Sequence, residues 1–145
     1  MRTDTLSKNL LISILHHNGY TDIIDTDINN KYEHWDVEAT KNGKKYLFEC
    51  KSRRFEHTKY GDNCVEELKY KTITEAIESG YAQKGYVISF FADNYVAINN
   101  IYDEHETNQR YAPKTTDFKK SDKVLKTFCD YKNPKFKKIS LPNIK

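Results

Sequence analysis

At 145 residues the chain is one domain's worth, polar in mean hydropathy (−0.86) yet 13% aromatic, with 11 Tyr and 7 Phe, which excludes disorder and supplies burial for a single core. Cys50, Cys64 and Cys129 are odd in number and lack CxxC spacing, which excludes a disulfide framework and a zinc cage and points to a reducing, cytoplasmic setting. No run approaches the ~20 apolar residues of a membrane span and the N-terminus has no signal-peptide layout, so no membrane partner is expected; the net charge of +3 hides a basic segment, residues 114 to 138, with nine Lys and three Asp.

Leu6, Leu10, Leu11, Ile14 and Leu15 recur at helical spacing and predict a helix over 5–18, stopped by Gly19. A short strand follows over 21–28, then two strands over 32–40 and 44–51. Asn63 with Glu66 resembles a capping box and predicts a second helix over 63–79, ended by Gly80. Strands over 84–91 and 95–101 turn around Asp93-Asn94. A last helix is expected near 117–130, followed by an extended tail to Pro142. Phe118, Phe128, Tyr131 and Phe136 interleave with the lysines of this stretch, which can neutralise phosphates and offer stacking surfaces. The same lysines also fit a solvated surface.

The informative segment is Lys41-Asn42-Gly43-Lys44. Asn-Gly supplies the two positive φ angles of a type I′ turn, and a two-residue loop fixes the register, so that paired residue numbers sum to 85. Val37 then faces Phe48, Ala39 faces Tyr46 and Trp35 faces Cys50, all on one apolar face. The other face pairs Glu38 with Leu47, Asp36 with Glu49 and His34 with Lys51. Asp36 and Glu49 should form a non-hydrogen-bonded pair with Cα atoms about 4.5 Å apart. Like charges in that position destabilise a sheet, and Glu38 on the same face adds to the repulsion. A divalent cation between the two carboxylates removes the penalty, and all-oxygen ligands suit Mg²⁺ or Mn²⁺. Lys51, two residues beyond Glu49, points to the same side. One metal, two carboxylates and a lysine form a set for phosphodiester hydrolysis: the metal acidifies a water and polarises the phosphoryl group, and the lysine stabilises developing negative charge.

Asp36, twelve residues, then Glu49-Cys50-Lys51 resemble the motif of the PD-(D/E)XK nuclease superfamily, which includes restriction endonucleases and Holliday junction resolvases. The resemblance covers residues 1 to 92. It implies a restriction-endonuclease-like, three-layer α/β/α fold with a central mixed sheet in the order αβββαβ, here one domain with a core over about 1–101 and a basic C-terminal extension over about 114–145. It further implies Asp36 and Glu49 as metal ligands with the Cys50 carbonyl as a third, and Lys51 as the catalytic lysine. Trp35 stands where the motif has Pro. Many members carry a Glu on the first helix; here its polar candidates are Asp4, Asn9, Ser13, His16 and His17. The tripeptide alone is not specific, since Glu67-Leu68-Lys69 repeats it on a helix with no hairpin partner. Arg53, Arg54, Lys59 and Lys69 are candidates for gripping phosphates. No Gly-rich phosphate loop is present, which argues against ATP-driven chemistry. The expected function is a Mg²⁺- or Mn²⁺-dependent endonuclease acting on DNA, as a homodimer or within a larger complex. An RNA nuclease, or a nucleic-acid-binding module without turnover, are the alternatives.

Overall fold

The computed structural model describes residues 4–26, 35–113 and 123–139. The expected strand residues 27–28 and 32–34, including His34 across from Lys51, lie outside them, as do Phe118, residues 140–142 at the end of the tail and residues 114–122 of the basic stretch.

Helix α1 (Asp4–His17) and strand β1 (Thr21–Asp25) come first. The hairpin β2 (Val37–Lys41) and β3 (Lys44–Ser52) follows, then β4 (Asn63–Glu66) running directly into helix α2 (Glu67–Glu78). Strands β5 (Lys84–Phe90), β6 (Tyr95–Asn100), β7 (His105–Pro113), β8 (Lys123–Tyr131) and β9 (Lys135–Lys138) complete the order. A six-stranded mixed sheet runs β1-β2-β3-β5-β6-β9, and a three-stranded antiparallel sheet runs β4-β8-β7. Strands β3 and β5 are parallel, as their connection through a helix demands.

The Asn-Gly turn does what its residues dictate. Asn42 (φ 54) and Gly43 (φ +75) are both left-handed, and the pairing runs from Lys41↔Lys44 to Val37↔Phe48 with the expected register. Successive residues of β3 and β5 then enter opposite cores. Phe48, Cys50, Ile88 and Phe90 pack with Leu11 and Leu15 of α1, whereas Leu47 and Val87 pack with Ile73 of α2 and with Cys129 and Tyr131 of β8. The central sheet is thus covered on both faces, and the face holding Glu38 and Leu47 packs into the second core. At Gly85, α2 comes close to the sheet: a Cβ there would lie 2.4 Å from Ile73 Cγ2.

Three expectations are corrected. Residues 63–66 are a strand, not the first turn of a helix, because they pair with Phe128–Tyr131 of β8; α2 starts at Glu67, and Glu66 makes no side-chain cap. Residues 123–131 are a strand rather than part of a helix. The apolar groups Val124, Leu125 and Phe128 sit at spacings that mimic a helix, but pairing with β4 and β7 on its two edges decides the conformation. The basic C-terminal region is accordingly no appendage: it supplies β8 of the second sheet and the edge strand β9 of the first.

Candidate active site

Asp36 sits where the hairpin ladder breaks. Val37 is the partner of Phe48, yet the Asp36 N–H also donates to the Phe48 carbonyl (3.0 Å), so two residues of one strand face one of the other. This is a β-bulge, a device that re-aims side chains. It has two consequences. Trp35 swings away from Cys50 and packs in the opposite core, with Leu47 and against the Tyr81 ring (5.6 Å). Asp36 leaves the expected side-by-side pairing with Glu49, and its Oδ2 instead accepts the Cys50 N–H at 2.8 Å, directly on the Glu49–Cys50 peptide. Thr26 braces the bulge: its N–H donates to the Asp36 carbonyl (3.1 Å) and its hydroxyl to the Trp35 carbonyl.

Glu49 and Lys51 alternate with Cys50 on β3 and lie on the face opposite the α1 core. Glu49 is 5% exposed, whereas Lys51 is half-buried. Beside them on β5, Val87 partners Glu49 and Ser89 partners Lys51. Ser89 belongs to a buried polar network: its hydroxyl donates to Asn63 Oδ1 (2.6 Å), and Asn63 Nδ2 donates to the Val87 carbonyl (3.1 Å) and to Asn99 Oδ1 (3.0 Å). Such a satisfied network fixes β4 against the sheet beside the candidate lysine. The sequence reading missed these amides, because only the tertiary fold brings residues 63, 89 and 99 together.

Glu38, which looked like a third clustered acid, has a structural role. Its carboxylate accepts from Trp35 Nε1 (3.2 Å) and the Tyr81 hydroxyl (2.9 Å) and pairs with Lys45 (3.1 Å). Hydrogen bonding to Tyr81 and then to Glu38 raises the pKa of Lys45. The repulsion that motivated a cation is therefore relieved, for this residue, by protein donors.

A different acid joins from α1. Asp4 Oδ1 accepts the Ser52 N–H (3.3 Å), and Ser7, fully buried, hydrogen-bonds through its hydroxyl to that of Ser52. The first turn of α1 is thereby pinned to the end of β3. Asp4 is one of the polar candidates that the sequence offers on this helix, and it contacts the end of β3. Burial, and then the negative charges of Asp36, Glu49 and Asp4, push the pKa of the Cys50 thiol well above the usual range, with Lys8 acting the other way. Lys8 itself pairs with Asp25 (3.0 Å).

The donor set fits a hard divalent cation. Cys50 turns its thiol into the α1 core, so Asp36, Glu49 and the Cys50 carbonyl offer oxygen only. Among the described residues no three His, Cys, Asp or Glu side chains are gathered as a ready metal cage.

The candidate phosphate contacts separate. Arg53 acts as a strut, donating to the Cys64 carbonyl and sulfur (3.2 Å each) while its N–H donates to the Phe90 carbonyl (2.7 Å). Arg54 is exposed immediately beyond the site strand. Lys59 is exposed further along the same loop, over the Phe55 (5.5 Å) and Tyr60 (5.4 Å) rings, and Lys69 lies in the first turn of α2. The loop is clamped to the β5–β6 turn by His57, whose Nδ1 and backbone N–H both contact Asp93, at 2.5 and 3.3 Å.

No family model and no curated protein matches the chain. Among solved structures it is similar in fold to the Hjc Holliday junction resolvase of the archaeal hyperthermophile Archaeoglobus fulgidus, with a TM-score of 0.53 and 13% identity over 68% of this chain and 72% of that one. No helix among the described residues is long and apolar enough to cross a membrane.

Proposed function

We propose that the protein is a metal-dependent nuclease that hydrolyses phosphodiester bonds in DNA, on a three-layer fold of the PD-(D/E)XK kind. The observation that carries this reading is the contact of the Asp36 carboxylate with the Glu49–Cys50 peptide, two residues before Lys51, in a chain that shares the fold of a Holliday junction resolvase. Asp36, Glu49 and the Cys50 carbonyl would hold one Mg²⁺ or Mn²⁺, and Asp4 adds negative charge from the adjoining helix. When bound, the ion supplies Lewis-acid chemistry at the phosphoryl oxygen and makes a water more acidic. The chain's own groups do the rest. Lys51 donates hydrogen bonds to the attacking water and stabilises negative charge on the phosphorus oxygens. The bulge and Thr26 hold Asp36 in place, and the wall of β4 and β5 beside Lys51 restricts its motion. Arg54 and Lys59 grip flanking phosphates.

The test is cleavage of plasmid, four-way-junction, single-stranded DNA and RNA substrates with Mg²⁺, Mn²⁺ or EDTA. Cleavage of DNA that requires metal and falls by at least about a thousandfold in Glu49→Ala and Lys51→Ala is the expected result. Metal-independent cleavage, or full activity in both variants, contradicts the assignment. Tight binding of nucleic acid without turnover under any metal makes the protein a binding module instead.

A further inference from the structure

Strands β7 and β8 pair over nine positions, from His105↔Tyr131 to Pro113↔Lys123. Strand β4 flanks β8 only along Phe128–Tyr131. From Gln109↔Thr127 outward, the described residues form a two-stranded ribbon of five pairs, about 17 Å long. Residues 106 to 111 of β7 are exposed one after another, without the alternation of a half-buried strand. Tyr111 is 71% and Leu125 53% exposed, and the two are cross-strand partners.

The acids of the two strands lie on one face. Alternation puts Glu106, Asn108 and Arg110 on one face with Asp130, Phe128 and Lys126. Every acid of the pair lies there and is neutralised: Asp130 by Arg110 (3.1 Å) with Asn108 donating as well (2.7 Å), and Glu106 by Lys132 (3.5 Å). Lys126 ties the same face to Glu66 of β4 (3.0 Å), and the Arg110 guanidinium lies over the Phe128 ring (4.0 Å). The opposite face begins at buried Cys129 and runs outward through Thr107, Gln109, Tyr111, Thr127, Leu125 and Lys123. It carries hydroxyl, amide and ammonium donors around a Tyr–Leu pair, and no acid.

We propose that this acid-free face of the β7–β8 ribbon is a duplex-binding arm that lies in a groove of double-stranded nucleic acid. A two-stranded ribbon matches the width of the major groove, about 12 Å. Gln109, Thr107 and Thr127 have the hydrogen-bonding groups to contact base edges, Tyr111 and Leu125 supply apolar contact, and Lys123 meets a phosphate. The chemistry favours a polyanion over a second protein: both acids of the two strands are confined to the far face, and Lys123 is the cation that the described residues place on this one. The inference rests on the nuclease reading for its purpose, since it says where the substrate is held, but its test does not depend on turnover.

The test is fluorescence anisotropy of the full-length protein with a labelled DNA duplex in EDTA, across a salt series. Lys123→Glu and the Tyr111→Ser/Leu125→Ser pair should each weaken binding at least tenfold, with a shallower salt dependence in Lys123→Glu. Glu106→Gln, on the far face, should stay within twofold of the parent chain. The proposal is overturned if the parent chain does not bind duplex, or if the folded face variants bind as it does. It is also overturned if sedimentation shows those variants dissociating a dimer at unchanged duplex affinity, which would make the face a protein interface. Arm-dependent binding by a protein that never cleaves with Mg²⁺ would uphold the arm and defeat the nuclease reading.

Discussion

At the scale of single residues, backbone N–H groups of β3 hold two acids: that of Cys50 holds Asp36 and that of Ser52 holds Asp4. Asp4 is the residue whose role the fold changes most: its contact with Ser52 N–H places a carboxylate beside the end of the strand that carries Glu49 and Lys51. Asp4→Asn keeps an acceptor for Ser52 but removes the charge. We expect the Mg²⁺ concentration for half-maximal cleavage to rise about tenfold, with melting temperature unchanged; a purely structural Asp4 would shift the melting temperature and leave the metal requirement alone. A second residue-scale prediction concerns acid stability. Burial works against the charge of Asp130, but hydrogen bonds from Arg110 and Asn108 outweigh it and hold the carboxyl below its usual range. Asp93 is likewise held low, its burial outweighed by hydrogen bonds from His57. A carboxyl depressed in the folded state contributes stability above its unfolded pKa of about 3.9 and loses it as pH falls through the folded value. Urea midpoints measured from pH 7 down to pH 3 should therefore fall steeply below about pH 4, and Asp130→Asn should flatten that fall. An equally steep fall in the variant would contradict the assignment.

At the scale of elements, legibility followed locality. The β2–β3 register was readable because Asn42-Gly43 and the alternation of Val37, Ala39, Tyr46 and Phe48 agree, and both are local. The bulge at Asp36 was not, because it depends on Thr26 and on the packing of Trp35 against Tyr81, residues far apart in sequence. Strands β4 and β8 were read as helical for the same reason: each is held by its partner, and Cys64-Val65 shows no local strand signal strong enough to oppose the helix that follows. Helix α2 itself is locked to the sheet through Gly85. Gly85→Ala would drive a methyl to 2.4 Å from Ile73 Cγ2, and we expect a loss of about 2–3 kcal/mol in urea unfolding. Adding Ile73→Ala, which removes the Cγ2 that the new methyl would meet, should change the cost of Gly85→Ala by more than about 0.5 kcal/mol; strict additivity would show that the two do not meet.

At the scale of the whole molecule, two sheets share the labour. The six-stranded sheet positions Asp36, Glu49 and Lys51 between helices on its two faces, while the smaller sheet projects a ribbon whose acids are all tied to one side. The spacing of Asp36, Glu49 and Lys51 could be read from the chain, but the reason offered for it, Asp36 directly opposite Glu49 with Glu38 beside them, does not hold: the bulge takes Asp36 out of that pairing and onto the Cys50 N–H, and Glu38 is satisfied by Trp35, Tyr81 and Lys45. The central claim is that Asp36 and Glu49 jointly hold one divalent ion. Isothermal titration of the full chain with Mn²⁺ tests it most directly. The account predicts one ion per chain for the parent protein and no detectable binding in Asp36→Asn or Glu49→Gln, each with an unchanged circular dichroism spectrum. Undiminished binding in both variants would contradict it.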